Sequence, residues 1–246
     1  VLYKYILLLI GGAFAGFVNV LAGGGSMVTI PLLNFAGLPI DVANGTNRVA
    51  ILLQNIVSVS KFFKEKRLPW KRALLLALFA TLGAILGTTI AITIDRTLLK
   101  RIIGVIFLIM LFITLKKPDL GTVQRKTEYP LYVSAILFFL IGIYGGFIQA
   151  GVGFFLVYAL VLVEGYDLVS ANAVKVSIVL VYTIISLSMF SFKGMVDWKL
   201  GLILAVGNMT GAYVGTVFAI FKGSHWVKWV LIIMVSVVSI AYILGI

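Results

Sequence analysis

Apolar residues run along this chain in stretches of about twenty, each long enough to cross roughly 30 Å of hydrocarbon as a helix. The clear stretches cover 73–94, 97–115, 168–192, 198–221 and 226–246. Two more, Leu2 to Leu38 and Leu131 to Val163, are too long for one simple span. Glycine interrupts both: Ala22-Gly23-Gly24-Gly25-Ser26, followed by Pro31, in the first, and Gly151-Val152-Gly153 in the second. The pattern predicts an all-α polytopic membrane protein with two helices broken inside the membrane.

The polar positions repeat. Residues 43 to about 105 match 171 to about 233 at a constant offset of 128, pairing Ala43-Asn44 with Ala171-Asn172, Trp70-Lys71 with Trp198-Lys199, and Gly83, Gly87 and Thr88 with Gly211, Gly215 and Thr216. A two-residue adjustment carries the match back to Gly16-Phe17-Val18-Asn19 and Gly146-Phe147-Ile148-Gln149. The chain therefore reads as one transmembrane domain over 1–246, with repeat one at 1–115, a linker at 116–129 and repeat two at 130–246, about four membrane segments in each. Paired breaks in a duplicated unit point to a transporter whose site lies near the midplane between the repeats. The first segment ends in a signal-peptide-like Ala13-Phe14-Ala15, but its partner near 130–150 argues that it stays in the fold.

Composition settles the solvent. A hydrophobic fraction of 62%, charged residues at 11% and a mean hydropathy of +1.17 exclude a water-soluble domain. The net charge of +12 does not indicate nucleic acid, because the basic residues lie between apolar runs and follow the positive-inside bias. Lys61, Lys64, Lys66, Arg67, Lys71 and Arg72, with the linker's Lys116, Lys117, Arg125 and Lys126, place those loops on the inner face of the cytoplasmic membrane. In the second half Lys193 and Lys199 balance Lys222 and Lys228, so charge leaves parallel and inverted repeats both open; alternating access favours the inverted arrangement. Trp70 and Trp198, each followed by Lys, read as interfacial anchors. With no cysteine and a single His225, nothing calls for a metal centre or cofactor.

The sign of the cargo follows from the charges. All eight acids, Asp41, Glu65, Asp95, Asp119, Glu128, Glu164, Asp167 and Asp197, fall in loops or at segment ends, whereas cation carriers commonly place carboxylates mid-span. Two cations do enter spans: Arg48, in Ala43-Asn44-Gly45-Thr46-Asn47-Arg48, and Lys175, in Ala171-Asn172-Ala173-Val174-Lys175. Each costs on the order of 3 kcal/mol at a helix centre and needs compensation. An anionic substrate supplies it, Arg48 offering a planar fork and Lys175 a point charge. The alternatives are snorkelling and pairing with Asp41 and Asp167. Asn19, Gln149, Asn44, Asn172, Thr46, Asn47, Gln54 and Asn55 stand at similar depths as neutral donors, each alternatively a helix-to-helix hydrogen bond.

Glycine at the breaks admits turns, and the helix starts exposed there carry free N–H groups and partial positive charge suited to an anion. Gly23, Gly24, Gly25 and Ser26, with Gly151 and Gly153, join the candidate site on that ground. Gly83 and Gly87, and Gly207, Gly211 and Gly215, have the spacing of close helix packing instead. Ser26 as an intramembrane nucleophile lacks a histidine partner, so no enzyme is expected.

The run Gly16-Phe17-Val18-Asn19-Val20-Leu21-Ala22-Gly23-Gly24-Gly25-Ser26, then Thr29-Ile30-Pro31-Leu32-Leu33, Gly37 and Ala43-Asn44-Gly45-Thr46-Asn47, resembles the sulfite exporter TauE/SafE family of membrane permeases. Gly142 to Gly153, Ala171 to Lys175 and Gly194 to Trp198 resemble its second copy, with Gly151-Val152-Gly153-Phe154 in place of a fuller glycine run and Val174-Lys175 in place of a small-Thr-Ser sequence. The resemblance implies secondary transport, commonly outward, of small sulfur-containing or related organic anions such as sulfite, sulfonates or sulfoacetate, with proton coupling open. An anion channel and a carrier of a non-sulfur carboxylate are the competing readings.

Overall fold

The computed structural model describes residues 2–99, 101–102 and 129–243, with backbone alone at residue 2 and over 224–243. The expected span at 97–115 lies outside the described residues beyond residue 102, as does the linker up to residue 128. Eight long helices are described: α1 (Leu2–Leu21), α2 (Ser26–Phe35), α3 (Ile40–Lys64), α4 (Trp70–Thr93), α5 (Leu131–Phe147), α6 (Val152–Leu162), α7 (Leu168–Phe192) and α8 (Trp198–Ile243). The last leaves helical geometry once, at Gly223 (φ 75°, ψ −179°), which separates the stretches expected at 198–221 and 226–246. Four helical segments, Tyr3–Leu21, Trp70–Thr93, Leu168–Phe192 and Trp198–Gly223, are long and apolar enough to cross a membrane.

Both glycine-interrupted stretches break, and each folds back on itself. Lys4 at the start of α1 donates to the Ala36 carbonyl just past α2 (3.1 Å), and a Cβ on Gly11 would strike Leu32, so α2 returns along α1. Ser134 in α5 donates to Glu164 beyond α6 (2.5 Å), and the Tyr144 and Phe155 rings meet edge-on at 5.2 Å, so α6 returns along α5. Gly23 (φ 86°) and Gly151 (φ 74°) supply the left-handed turns at the two tips. The α2 and α6 arms, of 10 and 11 residues, place each tip roughly 15 Å from the open end of its hairpin.

The hairpins open at different ends of the bundle. Arg72 at the start of α4 pairs with Glu164 (2.8 and 3.1 Å), which puts the open end of α5–α6 beside the first turn of α4. Arg96, just past the end of α4, pairs with Asp41 in the first turn of α3 (2.8 Å), and Lys199 at the start of α8 lies 5.4 Å from the Tyr5 ring in α1. That second cluster carries the open end of α1–α2, and the 24 residues of α4 separate the two by roughly 36 Å.

Small residues fix the closest helix pairs. Gly83 and Gly87 of α4 lie against the Phe139 and Ile143 carbonyls of α5, while Gly207 and Gly211 of α8 lie against the Leu9 and Ala13 carbonyls of α1. The packing role expected of these glycines is what they perform. A Cβ on Gly211 would stand 1.8 Å from the Ala13 oxygen, against 3.0 Å from the Phe17 oxygen at Gly215. Gly211→Ala is therefore expected to pry α8 from α1 and to cost about 2–3 kcal/mol, with Gly215→Ala costing clearly less. Thermal melts of the two purified variants check this; equal midpoints would contradict the packing.

Contacts across the bundle recur at fixed spacings. Thr88 and Ser186 share a hydrogen bond (2.8 Å), and Thr216 donates to Ser58 (3.0 Å), the equivalent residues of the two contacts, Thr88 with Thr216 and Ser58 with Ser186, standing 128 positions apart. In the hairpins the spacing is 126: α1 and α5 end at Leu21 and Phe147, and α2 and α6 begin at Ser26 and Val152. The identity match of Gly16–Asn19 with Gly146–Gln149 runs at 130, four residues and hence about one turn away. Small residues recur every four positions in both helices (Gly12 and Gly16, Gly142 and Gly146), so a one-turn slip preserves the sequence pattern while changing the partners.

Candidate functional site

At each break the first helix of the hairpin ends with carbonyls that have no N–H four residues on, at the negative end of its dipole. The sequence answers this from the other half of the chain. Lys175, in α7, donates to the Asn19 and Val20 carbonyls of α1 (2.9 and 2.6 Å), and Asn172, one turn earlier, donates to the Leu21 carbonyl (3.3 Å). Arg48, in α3, donates to the Gly145 and Gly146 carbonyls of α5 (3.3 and 2.6 Å), and Asn44, one turn earlier, donates to the Phe147 carbonyl (2.9 Å). The two sets of acceptors stand 126 residues apart.

Arg48 is fully buried and Lys175 is 2% exposed, so neither snorkels. Nor do the acids compensate them as the sequence allowed: Asp41 pairs with Arg96, and Asp167 caps α7 by accepting from the Val169 and Ser170 N–H groups. Backbone carbonyls at a helix terminus provide the compensation. Lys175 has three N–H bonds and three acceptors, the third being Asn172 Oδ1 (2.6 Å). Arg48 adds a bond to Gln149 Oε1 (3.2 Å) and stacks 4.8 Å over the Phe190 ring.

The other candidates divide. Asn47 bridges α3 to α2, donating to Ser26 Oγ (3.0 Å) and accepting from Thr29 Oγ1 (2.6 Å). Gln149 lies between Arg48 and the Tyr182 hydroxyl, to which it donates (2.9 Å). Thr46 is drawn away from this centre, accepting from the Asp197 N–H (2.9 Å) before α8. Gly24 stands beside the Phe154 ring, and Gly25 is pressed against the Ala15 carbonyl. The hairpin tips touch through Gly23 and Gly153, where a Cβ on either would fall 2.3 Å from the other's Cα.

Beside this contact lies a cavity of about 10 Å³, room for roughly one water. Its polar wall is Asn19, Asn55, Gln149 and Lys175; Val152 and Gly153 of the first turn of α6, with Val176 and Val179, complete it. Arg48 is not on this wall. Sequence reasoning missed Tyr182 and Phe190, aromatic residues in an apolar run whose partners lie on other helices. The 128-residue spacing of Tyr182 from buried Gln54 was the only hint.

The known proteins that this chain resembles bear the name of probable membrane transporters. The chain is 30% identical to the probable membrane transporter protein ORF9 of Sinorhizobium sp over 92% of this chain and 87% of the relative. It is 29% identical to a probable membrane transporter protein of Haemophilus influenzae, covering 91% of this chain and 88% of the relative. The probable membrane transporter protein YfcA of Escherichia coli (strain K12) is 27% identical, over 92% and 84% of the two chains. No solved structure matches. Residues 8–242 match the family model described as sulfite exporter TauE/SafE, and the chain belongs to that family of multi-pass permeases of the cytoplasmic membrane.

Proposed function

We propose that this permease is a secondary transporter of small sulfur-containing or related organic anions, of the sulfite, sulfonate or sulfoacetate class, working by alternating access in the export direction. The reciprocal capping carries the reading: the tip of each hairpin is held by a cation from the opposite half, and one of those cations, Lys175, lines the cavity beside the tips. The name of the matched family, sulfite exporter, supports the cargo class.

Two inverted repeats, 1–115 and 130–246 joined by the linker, form the moving parts in this proposal. Hairpins that open beside opposite ends of α4 support the inversion, because α3 and α7 begin at those two ends. The end bearing Lys61, Lys64, Lys66, Arg67, Lys71 and Arg72 faces the cytoplasm. An anion entering the cavity competes with the Asn19 and Val20 carbonyls for Lys175, whose donors are all engaged. Taking the lysine releases the α1–α2 tip, so binding and movement become one event. A proton moved with the anion travels as the anion's own acid form, since the acids stand at segment ends.

Purified protein in liposomes tests this. Labelled sulfite is expected to be carried in a saturable manner, to accumulate against its gradient when a driving gradient is imposed, and to be displaced by sulfoacetate. Movement of a metal cation instead overturns the anion reading. Flux that never exceeds electrochemical equilibrium under every imposed gradient overturns the carrier and favours a channel.

A further inference from the structure

We infer that Asn55 is a substrate-contacting residue and that the cavity it lines selects simple oxyanions over anions bearing an ammonium group; this rests on the anion-carrier reading above. Two of the four polar wall residues are already committed: Lys175 has three acceptors, and Gln149 donates to Tyr182 while accepting from Arg48. Asn55 differs. It is 1% exposed, it faces the cavity, and its Nδ2 has no hydrogen-bond partner. A buried amide donor left unpaired is costly unless something occupies the space in front of it.

A second set of donors belongs to residues that line the same space. Val152 and Gly153 lie in the first turn of α6, where the opening N–H groups have no intrahelical carbonyl; the Gly151 carbonyl is taken by Phe154 N (3.1 Å). An 11-residue helix directs its positive end there. A neutral amide donor, helix N–H groups and the one formal charge on the wall, Lys175, converge on a group that only accepts hydrogen bonds. Sulfite, or the sulfonate or carboxylate head of a small acid, is such a group. A zwitterion such as taurine brings an ammonium toward Lys175, and no carboxylate among the described residues of the wall receives it. At about 10 Å³ the cavity is closed down, so the head group must widen it, and the release of Lys175 from the α1 tip provides that room.

The test is calorimetric titration of the full chain in detergent with sulfite and with taurine at matched ionic strength, for the parent, Asn55→Ala, Asn55→Ser and Asn55→Asp. The parent is expected to bind sulfite at least about tenfold more tightly than taurine, and Asn55→Ala to weaken sulfite about tenfold. Asn55→Ser, which keeps a donor, falls between the two, and Asn55→Asp, which sets a carboxylate against the anion, abolishes binding. Sulfite affinity unchanged across the three variants, or taurine bound as tightly as sulfite, overturns the inference while leaving the anion carrier standing. A parent that binds neither sulfite nor any other small anion overturns the carrier reading itself. Should Asn55→Ala fail to fold, the serine and aspartate variants and the parent's sulfite-to-taurine ratio decide the matter alone.

Discussion

Alanine at Gly23 is expected to yield protein that is extracted poorly, melts well below the parent and does not transport. Two separate penalties meet there. The backbone stands at φ 86°, where a side chain costs about 1–2 kcal/mol. The new Cβ would lie 2.3 Å from Gly153 Cα, 2.4 Å from its carbonyl carbon and 2.9 Å from Phe154 N. All three are backbone atoms, so no rotamer relieves the clash and the hairpin tips must separate, bringing the total above about 3 kcal/mol. The penalties divide experimentally. Gly153→Ala meets the same contact at 2.3 Å without a left-handed φ, while Gly194→Ala has φ 67° with nothing within 4 Å. The expected order of damage is Gly23, then Gly153, then Gly194, the last costing about 1 kcal/mol. Fluorescence-detected size exclusion and melting midpoints measure it. A Gly23→Ala protein with the parent's midpoint would mean that in the resting state Gly23 neither touches the other tip nor holds a left-handed φ.

Much of this architecture is written in the apolar pattern, and what is missing from it has identifiable physical causes. The breaks at Gly23–Gly25 and near Gly151 are legible because a cluster of glycines inside an apolar run weakens a helix with no gain except the freedom to turn. Glycine announces a break, however, without giving the angle at which the chain leaves it. The return of α2 along α1 depends on contacts such as Gly11 with Leu32 that have no local signature. The α3 helix does not stand out as a clear span because Asn44, Asn47, Arg48, Gln54, Asn55 and Ser58 dilute its hydropathy; all six are buried, so the helix is polar toward the protein interior. The compensation of Arg48 and Lys175 is out of reach for a different reason. Their partners are backbone carbonyls 97 to 156 positions away, and no residue type marks a carbonyl as an acceptor.

That compensation changes what Arg48→Gln is expected to do. As a donor to an anion alone, Arg48 would be replaceable with little loss of stability; as the cap on α5 it is not. Glutamine is too short to reproduce the bonds to Gly145, Gly146 and Gln149, and it leaves buried acceptors without partners. Charge-assisted bonds of this kind contribute about 1.5–3 kcal/mol each and are not additive, so a total loss on the order of 3–5 kcal/mol is expected, with or without anion present. Lys175→Gln removes the equivalent cap from α1 and is expected to lower the midpoint comparably. The variants part company when sulfite is added. Arg48 does not line the cavity and Lys175 does, so Arg48→Gln retains the parent's sulfite-induced rise in midpoint whereas Lys175→Gln loses it. Should Arg48→Gln melt like the parent yet lose the sulfite response, the guanidinium is a substrate ligand and its bonds to the α5 carbonyls are incidental. Should both variants be destabilised and both still respond, Lys175 does no more than hold the hairpin, and the anion must be held by Asn55 and the first turn of α6.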